Sequence, residues 1–301
     1  MASLIIGIGE ILWDMLPSGP RMGGAPANFA CHARALGADA RIVSRVGDDP
    51  AGAMLLTKLE EAGMCIAGIS YDAHHPTGSV GVRILDDGQP VFTIHENVAW
   101  DYLTADARTK EIFKQADAIC FGTLAQRTSA SAMAIRELVA STAPEALRIF
   151  DVNLRQNYYT ADTIAASLEL ANVLKLNDAE LPEITDLLDM GGTLREKLSA
   201  LISRFDLRLI AYTRGSEGSV LFDGREWCGH PGMAVEVRDT IGAGDSFTAA
   251  VTLGMLKRWP LAEISLAANE VAAHVCSHDG AIPAMPDSIR SRFQCEAASP
   301  A

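Results

Sequence analysis

The sequence DTIGAGDSFTAAV, residues 239–251, decides the fold of this 301-residue chain. After Asp245, small and apolar residues recur at the spacing of one helical face. They are Phe247, Ala250, Val251, Gly254 and Met255. We therefore expect a helix to begin near Asp245, directly after the turn Gly242-Ala243-Gly244. In such a turn, backbone N–H groups converge on one point, and the helix dipole favours an anion there. The stretch predicts an anion site at the start of a buried helix.

Asp245 places a carboxylate beside this anion site. An acid at this place makes chemical sense if it accepts a proton from an attacking hydroxyl while the N–H groups stabilise a transferring phosphoryl group. A plainer interpretation makes Asp245 the N-cap of the helix and the glycines mere turn residues. The spacing of this motif alone leaves both interpretations open.

A second glycine pair opens another helix at GGAPANF, residues 23–29. Its proline suits the first helical turn, and Asn28 in that turn offers a donor and an acceptor to a polyol. Upstream, Glu10 and Asp14 follow the first predicted strand, Leu4–Gly9, at the edge where ligands bind in open α/β sheets. The functional interpretation makes Asp14 an acceptor for sugar hydroxyls. The alternative for the glycine pair is a tight turn before a core helix, and the alternative for Asp14 is a solvated acid in a loop.

Most of the remaining chain alternates short apolar runs with amphipathic helical segments, which predicts a parallel sheet covered by helices on both faces. One region breaks the alternation. Gly78–Leu85 and Pro90–His95 are strand-like runs joined by residues 86–89, which is the pattern of a hairpin. A hairpin inserted here projects from the main sheet, either as a surface excursion or as a lid over the mouth of the sheet.

The composition of the chain and the absence of certain sequence motifs disfavour several functional classes. The chain has 25 Lys and Arg against 38 Asp and Glu, a net charge of −13, which argues against nucleic acid as a partner. Its six cysteines form no CxxC pair, and neither a signal peptide nor a long apolar run occurs, so we expect a cytoplasmic protein without a membrane partner. The sequence has no Walker A loop. Leu12 replaces the third glycine of a dinucleotide fingerprint, which disfavours an oxidoreductase.

The two glycine motifs, at 23–30 and 239–245, together resemble the paired signatures of the ribokinase (phosphofructokinase-B) family of sugar and nucleoside kinases. Residues 177–180 (NDAE) resemble the NxxE element of that family, and residues 213–218 (TRGSEG) resemble its TxGxxG turn. Further segments are most similar to bacterial fructokinases: 9–17, 76–78, 99–101, 122–127 and 151–159. The matches follow one another in order along almost the whole chain.

The resemblance implies the fold and the catalytic roles. We expect one ribokinase-like domain over residues 1–301, a three-layer α/β sandwich with a mostly parallel central sheet and a small β lid from inserted segments about 12–22 and 76–101. Asp245 would be the catalytic base, and Arg155 would contact the sugar or the phosphoryl group. The anion hole would be formed by Gly242, Ala243 and Gly244. The sugar would be bound by Asp14, Gly24, Asn28 and Asp245.

The resemblance also implies the nucleotide and ion sites. Glu180 would organise a Mg²⁺ ion through water, which agrees with the several waters that Mg²⁺ usually keeps. ATP would be bound by Asn177, Glu180, Thr213, Gly215, Gly218, Gly244 and Asn269. Asp239 matches a K⁺ ligand of the family, whereas His278 and Asp279 depart from the usual sequence of the neighbouring K⁺ segment, residues 275–281. The sequence does not decide whether K⁺ activates the protein.

These assignments predict an ATP- and Mg²⁺-dependent kinase that phosphorylates a small sugar, foremost fructose at O6 or else O1, and forms a homodimer through the lid. A 2-keto-3-deoxygluconate kinase is the nearest alternative because it shares the Asn153-Leu154-Arg155 element, and a ribokinase-type kinase is another. From a different class, the alternative is a non-catalytic sugar-sensing module on the same fold.

Overall fold

Strands and helices alternate along the chain in the structure, a computed structural model that describes residues 2–84 and 90–294. In this part of the chain the strands are β1 (Leu4–Ile8), β2 (Leu12–Leu16), β3 (Gly19–Gly23), β4 (Asp39–Gly47), β5 (Ile69–Asp72), β6 (Gly78–Ile84), β7 (Pro90–Ile94), β8 (Ala118–Phe121), β9 (Leu147–Asp151), β10 (Val173–Asn177), β11 (Leu209–Thr213), β12 (Ser219–Phe222) and β13 (Trp227–His230). The α-helices are α1 (Ala25–Ala35), α2 (Pro50–Glu61), α3 (Ala107–Lys114), α4 (Ser129–Ala140), α5 (Ala161–Leu170), α6 (Glu180–Leu187), α7 (Leu194–Phe205), α8 (Ala243–Leu256), α9 (Leu261–Cys276) and α10 (Asp287–Gln294). None of these helices has the length and hydropathy needed to cross a membrane.

The central sheet has nine strands in the order β13-β12-β11-β10-β9-β8-β1-β4-β5. All pairs from β11 to β5 are parallel, and β12 and β13 extend the sheet antiparallel at one edge. Every residue of β1 and β8 is buried, as expected for parallel strands with helices on both faces.

Two apolar clusters fill the space between the sheet and its helices. Neighbouring residues of β1 point to opposite faces, so Ile5 lies in one cluster and Ile6 in the other. The first cluster includes Phe29 and Phe247 and packs α1, α2, α8, α9 and α10 on one face. The second includes Phe113 and packs α3 to α7 on the opposite face. This arrangement confirms the predicted three-layer α/β sandwich with a mostly parallel sheet.

A second sheet has four strands in the order β3-β2-β6-β7, all from the two segments that the sequence assigns to a lid. β2 pairs antiparallel with β3 and parallel with β6, and β6 pairs antiparallel with β7. Because β2 follows β1 after three residues and α1 follows β3 directly, this sheet lies at the carboxyl end of β1. The turn predicted at 86–89 lies outside the described residues.

Helix α8 begins two residues earlier than the sequence predicts. Gly242 is its N-cap and adopts a left-handed conformation with a φ of 80°, so Ala243 and Gly244 are already helical. Asp245 consequently lies inside the first turn rather than before it.

Candidate active site

The two glycine motifs of the sequence meet where α1 and α8 begin. Nδ2 of Asn28, in the first turn of α1, donates a hydrogen bond to Oδ2 of Asp245, in the first turn of α8, over 2.8 Å. α1 and α8 are neighbours in the same helical layer, which brings together residues 217 positions apart in the chain. The contact joins the predicted sugar-binding amide to the predicted base.

Asp245 does not cap α8. Its side chain accepts from Asn28, and the N-cap position is held by Gly242 without any side-chain hydrogen bond. The N–H of Ala243 donates to the carbonyl of Thr240 over 3.3 Å and closes the turn before the helix. The plainer N-cap interpretation of the sequence is therefore wrong, and the carboxylate is available for chemistry.

The turn before α8 depends on a close backbone approach. A Cβ on Gly242 would collide with the carbonyl oxygen of Ala281, so glycine is required by this contact as well as by the positive φ. Of the three residues that the sequence assigns to the anion hole, Ala243 already uses its N–H in the bond to Thr240, so it is not free for an anion. The N–H of Gly244, and that of Asp245, which the sequence did not assign to the hole, lie in the first turn, where no carbonyl stands four residues back within the helix. Together with the helix dipole, they form the side of the site that suits an anion.

The protonation of Asp245 suits a general base. Burial raises the pKa of this carboxyl to about 6, and the negative charge of Asp151 adds to the rise. The hydrogen bond from Asn28 and the charges of Lys175 and Arg155 act in the opposite direction. A carboxyl with this pKa is mostly ionised at neutral pH and retains an appreciable affinity for a proton.

A buried ion pair lies directly beneath the glycine turn. Lys175 of β10 and Asp151 of β9 are register partners, with 3.0 Å between Nζ and Oδ1. The other oxygen of Asp151 accepts from Oγ1 of Thr248 on α8 over 2.9 Å. A Cβ on Gly244 would lie 3.1 Å from Nζ of Lys175, so the ammonium packs against the turn. This pair was not predicted from the sequence, although a lysine inside the apolar strand Val173–Asn177 was a usable signal.

Negative charges hold the Lys175 ammonium in its charged form. Burial alone would lower the pKa of Lys175, but the surrounding carboxylates raise it above its ordinary value: Asp151, Glu180 and Asp245. The centre of the site therefore combines one buried ammonium with several carboxylates.

Asn177 and Glu180 form a reciprocal cap at the start of α6. Oε2 of Glu180 accepts from the Asn177 N–H over 2.8 Å, and Oδ1 of Asn177 accepts from the Glu180 N–H over 2.8 Å. Oε1 of Glu180 accepts from the N–H of Leu154 over 3.0 Å. The predicted NxxE element thus ties the end of β10 to the loop that follows β9.

That loop turns at two residues with left-handed conformations, Asn153 (φ 45°) and Gln156 (φ 48°). Such conformations cost energy for residues other than glycine and cluster at functional sites. Arg155 lies between them and is exposed. Its positive charge opposes the upward pKa shifts of three carboxyls: Glu10, Asp14 and Asp245. The positive charge of Arg155 therefore acts on the acidic side of the site, while its Nη1 donates to the carbonyl of Leu154 over 2.9 Å.

The predicted sugar-binding residues lie close together around the first glycine pair. A Cβ on Gly23 would collide with Oδ2 of Asp14, which projects from β2. Gly24 has a φ of 111°, and a Cβ there would collide with the carbonyl oxygen of Glu10. Burial raises the pKa of Asp14. Asn28 lies in the first turn of α1, and its N–H donates to the Gly24 carbonyl over 2.9 Å.

The predicted nucleotide turn follows β11, three strands away from β8 in the sheet. Thr213 ends the strand, and Gly215 and Gly218 both have positive φ angles, 53° and 79°. A Cβ on Gly218 would collide with a carbonyl oxygen of β13, so this turn also requires glycine. Asn269 of α9 donates from Nδ2 to Oγ of Ser219 over 2.8 Å, which fixes α9 beside the turn.

A family model of pfkB family carbohydrate kinases matches residues 20–288 of the chain. The chain belongs to the pfkB family of carbohydrate kinases. Among the relatives of this kinase, the fructokinase of Escherichia coli is 28% identical over 272 residues, which cover 85% of each protein. The family confirms the resemblance stated from the sequence motifs and makes the protein a carbohydrate kinase.

Solved structures of related kinases have the same fold. A sugar kinase from Pyrococcus horikoshii in complex with ATP superposes on this kinase with a TM-score of 0.81 at 28% identity, over 92% of this chain and 94% of that chain. A fructokinase from Xylella fastidiosa with bound ATP gives a TM-score of 0.83 at 23% identity, over 97% and 98% of the two chains. These likenesses confirm the ribokinase-like fold.

In this pfkB kinase, the predicted K⁺ ligand already faces a positive charge. Asp239 accepts hydrogen bonds from the N–H of Ile241 over 3.0 Å and from the N–H of Gly280 over 3.1 Å. The guanidinium of Arg21, from β3, lies 3.5 Å from Oδ2 of Asp239. The carboxylate therefore connects the α8 turn, the predicted K⁺ segment and the second sheet.

Proposed function

We propose that this kinase transfers the γ-phosphoryl group of ATP to a primary hydroxyl of fructose, with O6 as the acceptor and O1 as the alternative. The contact between Asn28 and Asp245 carries the proposal, because it sets an ionisable carboxylate beside a helix N-terminus and within a sugar-binding motif. Relatives that match most of the chain include fructokinases of Escherichia coli and rice, and ATP is bound in two solved relatives.

In the proposed reaction, the carboxylate of Asp245 accepts the proton of the sugar hydroxyl as that oxygen attacks the γ-phosphorus. The bond between this phosphorus and the bridging oxygen breaks, and ADP leaves with the electron pair. Asn28 orients the carboxylate, and Asp14 accepts hydrogen bonds from other hydroxyls of the sugar. The N–H groups at the start of α8 and the Arg155 guanidinium offset the charge that grows on the transferring group.

The nucleotide site suits an ion that arrives with ATP. Among residues 2–84 and 90–294, no group of three or more His, Cys, Asp or Glu side chains is arranged to hold a metal. Asn177 and Glu180, at the end of β10 and the start of α6, would hold Mg²⁺ through water, in keeping with the few direct protein ligands that this ion takes. Bound Mg²⁺ would neutralise the charge of the phosphates. Thr213, Gly215, Gly218 and Asn269 would contact the nucleotide, and Asp239 would be the ligand of a K⁺ ion.

One observation favours a second substrate class, the 2-keto-3-deoxy sugar acids. The guanidinium of Arg155 is exposed on a loop with two left-handed residues, and guanidinium groups bind carboxylates with two parallel hydrogen bonds. Fructose has no carboxylate. Arg155 would therefore act on the transferring phosphoryl group in a fructokinase and bind the substrate carboxylate in a kinase of keto sugar acids.

A substrate screen separates these functions. Formation of ADP would be measured in a coupled assay with ATP and Mg²⁺ over about a dozen sugars and keto sugar acids, including ribose. The proposal predicts the highest kcat/KM for fructose, with Arg155→Lys changing kcat more than KM. A preference for 2-keto-3-deoxygluconate or for ribose would replace fructose as the substrate. Sugar binding by calorimetry without any turnover would instead identify a sugar-sensing module.

The second sheet is the surface that we propose for a homodimer of this kinase, which we place in the cytoplasm. β3 and β7 are its edge strands, and edge strands are suited to pair with another chain. Met15 of β2 is 47% exposed, on the face opposite Asp14. Light scattering of the purified protein would give the mass of a dimer, and Met15→Glu would shift it to a monomer.

A further inference from the structure

Glu10 is a buried carboxyl in the loop between β1 and β2, and the proposed reaction does not use it. Its side chain is 4% exposed. Oε1 accepts a hydrogen bond of 3.3 Å from the N–H of Ala25, the first residue of α1. Oε2 is buried and has no hydrogen-bond partner among the described residues. An ionised carboxylate with one unsatisfied buried oxygen is costly, whereas a protonated carboxyl is tolerated much better.

The ionisable groups that face Glu10 come from three other elements: α8, the loop after β9, and β8, where burial raises the pKa of the Cys120 thiol well above its usual value and the Glu10 charge adds to the rise. Asp245 of α8 is negative, and Arg155 from the loop after β9 is positive. Burial raises the pKa of Glu10 from 4.5 to about 7, while its own N–H, Arg155 and the N–H of Ala25 oppose the rise and Asp245 adds to it. Near neutral pH, Glu10 therefore exists in both its protonated and its ionised form.

Glu10 also touches the residues that place Asn28. Its carbonyl oxygen approaches Gly24 so closely that a Cβ there would collide with it. The Gly24 carbonyl in turn accepts from the N–H of Asn28 over 2.9 Å, and the Asn28 amide donates to Asp245. Glu10 thus contacts two successive residues where α1 starts, Gly24 through its carbonyl and Ala25 through its carboxyl.

We propose that Glu10 is a positioning residue that, in its uncharged form, fixes the first turn of α1 and through Asn28 the orientation of Asp245. Ionisation of Glu10 adds a second negative charge near Asp245, puts charge on a buried oxygen that has no hydrogen-bond partner and draws the carboxyl toward Arg155. Each of these effects disturbs the sugar side of the site. The consequence for catalysis rests on the proposed function, because it assumes that Asn28 and Asp245 bind and deprotonate the sugar.

The kinetic test compares Glu10→Gln with the wild-type protein and with Glu61→Gln, a substitution of an exposed glutamate on α2. Glutamine keeps the acceptor for the Ala25 N–H and cannot ionise. As the pH rises from 6 to 9, we expect the KM of the wild-type protein for fructose to rise about threefold or more. A change of this size corresponds to the weakening of one hydrogen bond to the sugar. Glu61→Gln should follow the wild type, and Glu10→Gln should keep a constant KM. The proposal would be overturned if the KM of Glu10→Gln for fructose rose with pH as in the wild type. It would also be overturned if this KM were tenfold higher than that of the wild type at pH 6.

Two further readouts do not need turnover. In ¹³C NMR of protein labelled at glutamate carboxyls, one resonance should titrate near pH 7 and be missing from Glu10→Gln. Because the pKa of Glu10 is raised in the folded state, its contribution to stability is present below 4.5 and lost as the pH rises toward 7. Glu10→Gln should therefore melt at a higher temperature than the wild type at pH 8 and not at pH 4.5. Titration below pH 5.5 of the resonance that is missing from Glu10→Gln would overturn the proposal, whereas absent fructose turnover with this resonance titrating near pH 7 would count against the proposed substrate alone.

Discussion

Replacing Asn28 with alanine should change how catalysis depends on pH. The hydrogen bond from Nδ2 of Asn28 to Oδ2 of Asp245 (2.8 Å) favours the ionised form of a carboxyl whose pKa is about 6. A hydrogen bond to a charged group contributes about 1.5–3 kcal/mol, and about 1.36 kcal/mol corresponds to one pKa unit. Asp245 is partly accessible to solvent, so we use the lower end of this range. The acid limb of kcat/KM should then move upward by about one pH unit in Asn28→Ala.

The assay measures kcat/KM for fructose from pH 5 to 9 with coupled detection of ADP, because kcat/KM reports the ionisation of the free enzyme. Asn172→Ala is the matched control. This buried amide at the amino end of β10 accepts from the Arg148 N–H (2.8 Å) and donates to the Ala146 carbonyl (2.9 Å). Its loss should lower the melting temperature and leave the acid limb unchanged. An acid limb of Asn28→Ala that coincides with that of the wild type would refute the reasoning.

Two further substitutions test the support beneath the glycine turn. Lys175→Met leaves Asp151 buried without its partner, so the free energy of unfolding in urea should fall by about 3–5 kcal/mol. Adding Asp151→Asn to Lys175→Met should restore part of the lost free energy of unfolding. A loss smaller than about 1 kcal/mol in Lys175→Met would contradict the role of the pair. Gly242→Ala should lower kcat by about 10²-fold or more, because its Cβ meets the Ala281 carbonyl and displaces the N–H groups. Gly63→Ala, with a similar φ of 74° and open space around it, should lower stability and leave kcat unchanged.

The fold and the two glycine motifs were predictable because both rest on local chemistry. Glycine pairs that open amphipathic helices place N–H groups at helix starts, whatever surrounds them. Alternating strands and helices imply a parallel sheet that brings those starts to one edge. For that reason, the sequence predicted both Asn28 and Asp245 as site residues, whereas the hydrogen bond between them is visible only in the structure.

The ion pair beneath the turn depends on register, which no local pattern contains. Lys175 and Asp151 meet because β9 and β10 pair in one register out of several, and only then does a lysine in an apolar strand gain its partner. The antiparallel strands β12 and β13 likewise lie outside the alternation of strands and helices. The burial of Glu10 follows from the packing of the α1 turn against its loop, so its proton affinity was not predictable from sequence.

The central claim, that Asp245 is the base of a sugar kinase, is tested most directly by Asp245→Asn. Asparagine keeps the size of the side chain and removes its proton affinity. The account predicts a fall in kcat of about 10²–10⁴-fold at pH 7.5, while calorimetry shows fructose and ATP binding with wild-type affinity within about threefold. An Asp245→Asn protein that phosphorylates fructose at the wild-type rate would contradict the account.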